Sequence, residues 1–489
     1  MASPQVSPSR FDLRAWIESA RALGQIQDVP GAELKYELGA IAEINSRRGG
    51  PAFLFDQFAN YPAGFRVMTG AAINPTTLAL TLGIQGLPDK MAIVDSVAQL
   101  LKRVDETASN YPMEFVSSGP VMENRMAGDE VDLTKLPTPI FHEHDGGPYI
   151  GTGVIQINKD LDSDWVNAGT YRVHMQNKNT LGNFISETHH GHVIRKKFWD
   201  KGQPSPVVMS FGHHPLLLIL GSFELPEGVD ELSWIGAIAG QRVPVVRGPV
   251  TGLPIPAHSE IAIEGYAYPG KEMMEGPFGE FTGYYGGDRT MQPCVEVKAV
   301  YYRNQPIMLA TPPGRPPHDY SYYGSVMKSA AVKESLRKAG VPGVKAVWIS
   351  EASSSRSFIV TSIKQMYGGH ATQAGMIAAF CQAGVDMARY SIVVDEDIDP
   401  TNMNDVIWAL SSRCDPAEDI EVIRQGVTNT LDCTVTPEAK KEFKVWNSRA
   451  IIKAVRPYDR LCKGNYPKVA ECSPELIRTT KEKWAHLFK

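Results

Sequence analysis

The sequence contains few cysteines and no long apolar run. Its 6 cysteines among 489 residues form no C-x-x-C pair, which argues against a disulfide framework or a zinc ribbon and is typical of reduced cytoplasmic thiols. The longest apolar run, residues 215–221, is far too short to cross a bilayer. Residues 1–10 contain no apolar segment typical of a secretory signal. We therefore expect a cytoplasmic protein that has no membrane partner.

The sequence also lacks an excess of positive charge and the common nucleotide-binding motifs. Its 49 Lys and Arg residues against 54 Asp and Glu residues give a net charge of −5, whereas proteins that bind nucleic acids present a basic surface. A P-loop is absent, and the GTG at 151–153 is an incomplete dinucleotide fingerprint. We therefore expect no nucleic-acid partner, and an enzyme becomes the default class.

What the chain does contain is a succession of regions with different patterns, as expected for a length that exceeds one ordinary core. Residues 1–115 combine amphipathic helical patterns with short apolar strands, which predicts an α/β domain. Residues 116–312 are β-rich runs separated by Gly and Pro turns, as in a barrel or a sandwich. Residues 313–465 alternate between helix and strand patterns, which favours a second α/β domain. Residues 466–489 contain a terminal helix that starts at Ser473-Pro474.

The segment MMEGPFGEFTGYYGG, residues 273–287, places Glu275 and Glu280 on either side of Gly-Pro-Phe-Gly. Neither a helix nor a strand interior tolerates that spacer, so a shaped loop is predicted. Arg172 is the natural partner for two inward carboxylates, because a guanidinium makes charge-assisted hydrogen bonds with them. In a dry pocket two such glutamates titrate unequally, which leaves one able to hold a proton. The alternative is a structural ion pair that joins two strands.

Histidines cluster in the segment ETHHGH, residues 187–192, and elsewhere near 142–144 and 213–214. Most histidines of this kind are surface or turn residues. A neutral imidazole together with an amide oxygen and a carboxylate nevertheless suits a divalent ion that also binds a phosphate. Asn167 and Glu231 could supply the two oxygens, although spacing alone does not select them.

Two further segments have open interpretations. The acidic DEDID at 395–399 could bind a cation, but a solvated loop after a strand is the better interpretation. The tyrosine-rich segment HDYSYYG at 318–324 either lines a pocket or packs between domains.

Five segments resemble the UbiD-like decarboxylases, which use prenylated FMN. They are EGPFGEFTGYY (275–285), PAHSEIAIEGY (256–266), NAGTYR (167–172), VDELSWIGAIAG (229–240) and DEDIDPTNMNDVIWALSSR (395–413). The likeness covers nearly the full chain. It implies a multidomain α/β protein with an N-terminal α/β region, a central flavin-binding split β-barrel, and a mobile C-terminal α/β domain with a terminal helix.

The resemblance also implies roles for individual residues. Arg172, Glu275 and Glu280 match a Glu-Arg-Glu network beside the flavin. The matching metal ligands are Asn167, His190 and Glu231, which would hold manganese or magnesium against the cofactor phosphate, with potassium as a further candidate ion. Other cofactor-contacting positions match Thr170, Tyr171, His189, Ser222 and Phe223. Some members place a lysine where this chain has Gln382, so no lysine is assigned to the phosphate.

The expected reaction is the reversible non-oxidative decarboxylation of an aromatic or heteroaromatic carboxylic acid. In this hypothesis the substrate forms a covalent adduct with prenylated FMN, which accepts the charge left by CO2, and Glu280 is the proton donor. Decarboxylation of an α,β-unsaturated, cinnamate-like acid is the second candidate. A His-rich, metal-dependent hydrolase that uses zinc and a non-catalytic flavin-binding protein are the alternatives of other classes. The resemblance further implies a need for a flavin prenyltransferase, and a homodimer or larger homo-oligomer.

Overall fold

The computed structural model describes residues 10–86, 89–442 and 444–488. The ends of the predicted N-terminal domain and terminal helix, residues 1–9 and Lys489, therefore lie outside the described residues. The protein is a multidomain α/β protein with four sheets of four, nine, three and five strands. No helix in the described part of the chain has the length and apolar character needed to span a membrane.

The N-terminal region begins with a helix that starts where the sequence predicts. The side chain of Asp12 accepts a hydrogen bond from the Arg14 backbone N–H at 2.9 Å, which caps the first turn. Its apolar stripe is buried against the sheet. The elements of this region are α1 (Leu13–Ala22), β1 (Ile26–Pro30), α2 (Glu37–Arg48), β2 (Ala52–Asp56), β3 (Arg66–Thr69), α3 (Pro75–Leu82) and α4 (Lys90–Thr107).

The central region is built on a curled nine-stranded sheet. Its elements are β4 (Glu114–Val116), β5 (Asn124–Ala127), β6 (Tyr149–Gly151), β7 (Val154–Lys159), β8 (Val166–Gly169), β9 (Arg172–Met175), β10 (Thr180–Phe184), α5 (His190–Asp200), β11 (Ser205–Phe211), α6 (Pro215–Gly221), α7 (Glu231–Ala239), β12 (Pro244–Arg247), β13 (Pro254–Pro256), β14 (Ile261–Glu275), β15 (Thr290–Tyr302) and β16 (Ile307–Leu309).

The strand order of the large sheet is β6-β9-β10-β15-β14-β11-β7-β8, and β5 pairs with β15. Strands β14 and β15 form a long hairpin whose connection is the segment 276–289. A three-stranded sheet of order β13-β12-β4 lies apart from it. Strand β16 instead joins the N-terminal sheet, in the order β1-β2-β3-β16, so the chain returns to its first region before the C-terminal region begins.

The C-terminal region is a five-stranded sheet of order β17-β18-β19-β21-β20 with helices. Its elements are α8 (Ser321–Lys338), β17 (Val344–Ile349), β18 (Phe358–Ile363), α9 (His370–Phe380), α10 (Gln382–Val385), β19 (Tyr390–Asp395), α11 (Met403–Arg413), α12 (Pro416–Asp419), β20 (Ile420–Val427), α13 (Pro437–Lys441), β21 (Trp446–Ala454), α14 (Tyr458–Cys462) and α15 (Pro474–Lys483). The terminal helix α15 is capped by Ser473, as predicted, and its residues are exposed.

One hydrophobic cluster joins the three regions. Apolar side chains of α4, β7 and α8 belong to the same buried core, in which Leu101, Ile155 and Val326 represent the three regions. A second hydrophobic cluster packs against the C-terminal sheet. It includes Val332 and Leu336, which lie toward the other end of α8. Helix α8 is therefore shared by the interior of the molecule and by its last sheet.

Two of the four carboxylates in the acidic segment 395–399 pair with arginines. Asp395 accepts from Arg413 at 2.8 Å and from Arg456 Nε at 3.1 Å, and Asp397 accepts from Arg413 at 2.8 Å. The two guanidinium groups take the places that a cation would need. This arrangement favours a structural role for the segment.

Replacing Arg413 with alanine is expected to destabilise the C-terminal sheet. The side chains of Arg413 and Asp395 are each 2% exposed, and a buried carboxylate that loses its partner costs about 3 kcal/mol or more. Because Arg456 remains, we expect about 3 kcal/mol, measured as a lower midpoint of denaturant unfolding. Arg478→Ala is the control, since its ion pairs are exposed and exposed pairs contribute little to stability. Equal midpoints for the two variants would contradict the prediction.

Candidate active site

The structure brings Arg172, Glu275 and Glu280 together. Nη2 of Arg172 donates to Oε2 of Glu275 at 2.7 Å, and Nη1 donates to Oε1 of Glu280. The three side chains are 14%, 1% and 9% exposed, respectively. An arginine thus lies between two nearly buried carboxylates.

The sheet explains this convergence. Arg172 is the first residue of β9 and Glu275 the last of β14, while Glu280 lies in the connection of the β14–β15 hairpin. Strand β10 lies beside β9, and a Cβ added at its Gly182 would lie 3.5 Å from Cγ of Glu275. Gly182 therefore lies within contact distance of the Glu275 side chain.

The hairpin connection is held by a second loop. Oδ1 of Asp145 accepts from the backbone N–H of Gly279 at 3.0 Å, and Oδ2 accepts from the N–H of His142 at 2.9 Å. The backbone N–H of Gly146 donates to the carbonyl of Pro277 at 2.8 Å. These bonds fix the backbone on the N-terminal side of Glu280, so that its carboxyl group is directed toward Arg172.

Burial makes Glu280 a weaker acid than an exposed glutamate, which suits a proton donor. Removal from water raises the pKa of Glu280, the neighbouring Glu275 charge raises it further, and Arg172 opposes both effects. The raised pKa favours the protonated form of Glu280 at a higher pH than an exposed glutamate allows.

Asn167, His190 and Glu231 lie on three adjacent elements, β8, α5 and α7. Nδ2 of Asn167 donates to the hydroxyl of Tyr171 at 3.1 Å, which leaves Oδ1 of Asn167 for another partner. The same hydroxyl accepts from the backbone N–H of Gly191 at 3.0 Å and so ties the start of α5 to Asn167. The Tyr171 hydroxyl therefore orients the candidate ligands.

Glu231 is buried, and no cationic side chain among the described residues forms an ion pair with it. Its Oε2 accepts from the N–H of Ala168 at 2.9 Å, and burial raises its pKa to about 8. Burial also lowers the pKa of His190, which favours the neutral imidazole that binds metals. A buried carboxylate, a neutral imidazole and a free amide oxygen fit a divalent ion.

The described part of the chain contains no group of three or more His, Cys, Asp or Glu side chains placed to bind a metal. The set above has only two such residues, because its third member is the amide of Asn167. A zinc hydrolase with several histidine ligands gains no support from this arrangement.

The remaining candidate cofactor positions lie near the same elements. The Thr170 side-chain hydroxyl is buried and has no partner in the described chain, and the Thr170 N–H donates to the Gly221 carbonyl at 2.9 Å. The hydroxyl of Ser222 lies 3.3 Å from that of Tyr323, and the ring of His189 lies 6.0 Å from that of Tyr171. Phe223 is partly buried against the main core.

The tyrosine-rich segment packs against the hairpin connection that contains Glu280. The carbonyl of Phe281 lies 3.1 Å from Nε2 of His318, and the ring of Phe281 lies 6.5 Å from that of Tyr320. These contacts support the packing interpretation, and the pocket interpretation stays a prediction.

Sequence reasoning missed two groups of the site. The guanidinium of Arg356 lies 4.0 Å from the ring centroid of Phe281 and donates through Nε to Asp386 at 2.6 Å. The hydroxyl of Tyr149 donates to Oε1 of Glu275 at 3.0 Å. No local motif marks either residue; only the strand pairing and the packing of the C-terminal region reveal them.

Two family models cover more than half of the chain. Residues 114–316 match the UbiD model, described as the 3-octaprenyl-4-hydroxybenzoate carboxy-lyase Rift-related domain, and residues 321–454 match the corresponding C-terminal domain. The chain belongs to the UbiD family. This UbiD-family protein is thus an enzyme of the carboxy-lyase class.

Similar proteins extend the match. The chain is 32% identical over 422 residues to pyrrole-2-carboxylic acid decarboxylase of Pseudomonas aeruginosa, with 84% of each chain covered. It is 27% identical to the UbiD-class enzyme HmfF from Pelotomaculum thermopropionicum in complex with FMN, with a TM-score of 0.82 and coverage of 95% and 98%. An evolved dimeric form of HmfF in complex with prFMN gives 26% identity, a TM-score of 0.79 and coverage of 95% and 97%.

Proposed function

We propose that this UbiD-family enzyme catalyses the reversible non-oxidative decarboxylation of an aromatic or heteroaromatic carboxylic acid, with prenylated FMN as its cofactor. The observation that carries the proposal is the buried Arg172 between Glu275 and Glu280. The similarity to a pyrrole-2-carboxylic acid decarboxylase and to HmfF in its FMN and prFMN complexes supports it.

Asn167, His190 and Glu231 would hold a manganese or magnesium ion, and through it the cofactor phosphate. A potassium ion is a further candidate for the same region. The buried, unpartnered hydroxyl of Thr170 supports a ligand at this position. When bound, prenylated FMN supplies the electron sink for the charge that loss of CO2 leaves behind.

Arg172 is suited to orient the substrate carboxylate. Its two terminal amino groups donate to the glutamates, but its Nε is buried and has no partner within the described residues. The side chain as a whole is 14% exposed, so a substrate carboxylate would approach the exposed edge of the guanidinium, while the bond between Arg172 and Glu275 holds the group in place. Orientation of this kind brings reacting groups together at low entropic cost.

Glu280 would deliver the proton that replaces CO2. Its raised pKa keeps a proton available, and general acids of this kind accelerate proton transfer by roughly 10²- to 10⁴-fold. Glu280 is buried, and the ring of the adjacent Phe281 packs against Tyr320. Reprotonation by a positioned group, not by solvent, is the expected consequence.

The source of the cofactor and the oligomeric state of the enzyme complete the proposal. A flavin prenyltransferase would have to supply the prenylated flavin, because the proposed reaction uses this cofactor but does not make it. We also infer a homodimer or larger homo-oligomer, a state supported by the dimeric form of HmfF.

Protein produced together with a flavin prenyltransferase is expected to be active, and protein produced without one is expected to be inactive. The measurements are the mass of the extracted flavin and CO2 release from pyrrole-2-carboxylate, a hydroxybenzoate and cinnamate. We expect release from the first two acids; preference for cinnamate would assign the unsaturated-acid class instead. Activity without any flavin would overturn the proposal in favour of a hydrolase, and bound prenylated FMN with no CO2 from any acid would indicate a non-catalytic protein.

A further inference from the structure

Tyr149 is a buried tyrosine whose hydroxyl lies against the Arg172 network. It begins β6 and pairs with His174 of β9, two residues from Arg172 on the same strand face. Its ring stacks on His174 at 4.6 Å and contacts Phe278 at 4.1 Å between centroids. The ring is therefore held on both faces, and its hydroxyl has a fixed direction.

The two glutamates of the network have different hydrogen-bond partners. Oε1 of Glu275 accepts from Tyr149 at 3.0 Å and Oε2 accepts from Arg172 at 2.7 Å, so both oxygens of Glu275 receive a donor. Glu280 accepts from Arg172 through Oε1, and its Oε2 makes no hydrogen bond within the described chain. Arg172 contacts both carboxylates, so the Tyr149 hydroxyl is the donor that distinguishes them.

We propose that Tyr149 is a positioning residue that keeps Glu275 ionised and thereby places the single proton of the glutamate pair on Glu280. An ionised carboxylate accepts hydrogen bonds with both oxygens, whereas a protonated one turns an oxygen into a donor. Protonating Glu275 would therefore disrupt one of its two bonds, while Glu280 has a free oxygen for the proton. The catalytic meaning of this inference rests on the proposed function.

The phenol is suited to act as a permanent donor. Burial, followed by the charge of Glu275, raises the pKa of Tyr149, so its hydroxyl keeps its proton. Its other acceptor, the Pro277 carbonyl, is more distant at 3.4 Å. The titratable and charged groups that face the tyrosine and the two glutamates are Asp145, Arg172, His174, Arg289, Tyr320 and Arg356. Arg172 and Arg356 favour an ionised Glu280, whereas burial and the charge of Glu275 favour its protonated form. The hydrogen bond from Tyr149 supports the charge on Glu275 and so acts on Glu280 through it.

Tyr149→Phe keeps the stacked ring and removes only the hydroxyl. Without that donor, Glu275 competes for the shared proton. We expect the maximal kcat to fall about tenfold. We also expect the alkaline limb of the pH profile to move up by about one pH unit. The free energy of a hydrogen bond to a charged group is large enough to produce changes of this size. The two changes are linked, because both depend on the fraction of molecules in which the proton resides on Glu275 instead of Glu280. Above the alkaline limb the wild-type and variant profiles should therefore coincide.

Tyr301→Phe is the matched control. Tyr301 is a buried tyrosine of the same sheet whose hydroxyl donates to Glu264 at 2.8 Å, outside the site. This variant should lose stability without shifting the pH profile. A Tyr149→Phe profile that is lowered equally at every pH would overturn the inference, because a general structural defect produces that result.

An infrared pH titration of the flavin-free protein tests the same inference without any turnover. The protonated-carboxyl band that Glu280→Gln removes from the wild type identifies Glu280. In Tyr149→Phe we expect this band to lose intensity and a second protonated-carboxyl band to appear. Loss of the second band on adding Glu275→Gln would assign it to Glu275. An unchanged Glu280 band in Tyr149→Phe would contradict the inference. A shifted band in a protein that releases no CO2 would reject the proposed function alone.

A second substitution covers the case in which Tyr149→Phe does not fold. Fluorotyrosine at position 149 retains the ring and the hydroxyl but is a stronger donor. It should strengthen the preference for an ionised Glu275. The protonated-carboxyl band should therefore remain that of Glu280. Transfer of the proton to Glu275 in this variant would contradict the proposed role.

Discussion

Glu280→Gln is expected to reduce decarboxylation roughly 10³-fold while leaving the fold and the bound flavin unchanged. Glutamine has nearly the same shape and can accept from Arg172, but it cannot deliver a proton, and a positioned general acid contributes roughly 10²- to 10⁴-fold. The measurement is single-turnover CO2 release from protein whose flavin content has been matched by absorbance.

Glu272→Gln is the control for this experiment. Glu272 lies on the same strand, β14, but is exposed to solvent, so its variant should retain full activity. Unimpaired turnover in Glu280→Gln would remove Glu280 from the mechanism. Loss of flavin in the same variant would instead assign Glu280 to cofactor binding.

Glu231→Gln is expected to abolish retention of the divalent ion and to weaken retention of the flavin. The substitution removes the only carboxylate among the three candidate ligands, and even indirect changes around metal ligands cost roughly 10- to 100-fold in affinity. We therefore expect a loss of roughly 100-fold or more in manganese affinity. Metal content after gel filtration and the flavin-to-protein ratio are the measurements.

Glu227→Gln provides a neighbouring charge control. Glu227 is exposed and acts on His190 only through its charge, so its loss should leave the metal bound. Wild-type metal content in Glu231→Gln would show that Glu231 is not a ligand. Equal metal loss in both variants would show that net charge, not coordination, holds the ion.

Local signals in the sequence predict local structure well here. The caps at Asp12 and Ser473 lie where helices α1 and α15 begin, because a side-chain oxygen next to a helical pattern acts within one turn. The glycine and proline spacer between Glu275 and Glu280 likewise predicts the loop. The family resemblance, and not spacing, then selects Arg172 as the partner.

Contacts between distant strands are what the sequence does not reveal. Tyr149 lies 126 positions from Glu275, and their contact depends on the register of the strands that lie between them in the sheet. A register shift of one residue would turn these side chains to the opposite face. The same reason hides the pairing of β16 with the N-terminal sheet. The domain boundaries and the roles assigned to the metal and cofactor residues stay predictions.

Helix α8 constrains any motion of the C-terminal region. One end of the helix is buried in the core that all three regions share, and the other end is buried in the last sheet. Pulling the whole C-terminal region away would expose Tyr322, Val326 and Met327, at a cost of about 1.5 to 3 kcal/mol for each large apolar side chain. A rotation of the sheet about α8 would keep these three side chains buried, although Trp348 of β17 also belongs to the shared core. Substrate entry is therefore expected to depend on pivoting around this helix.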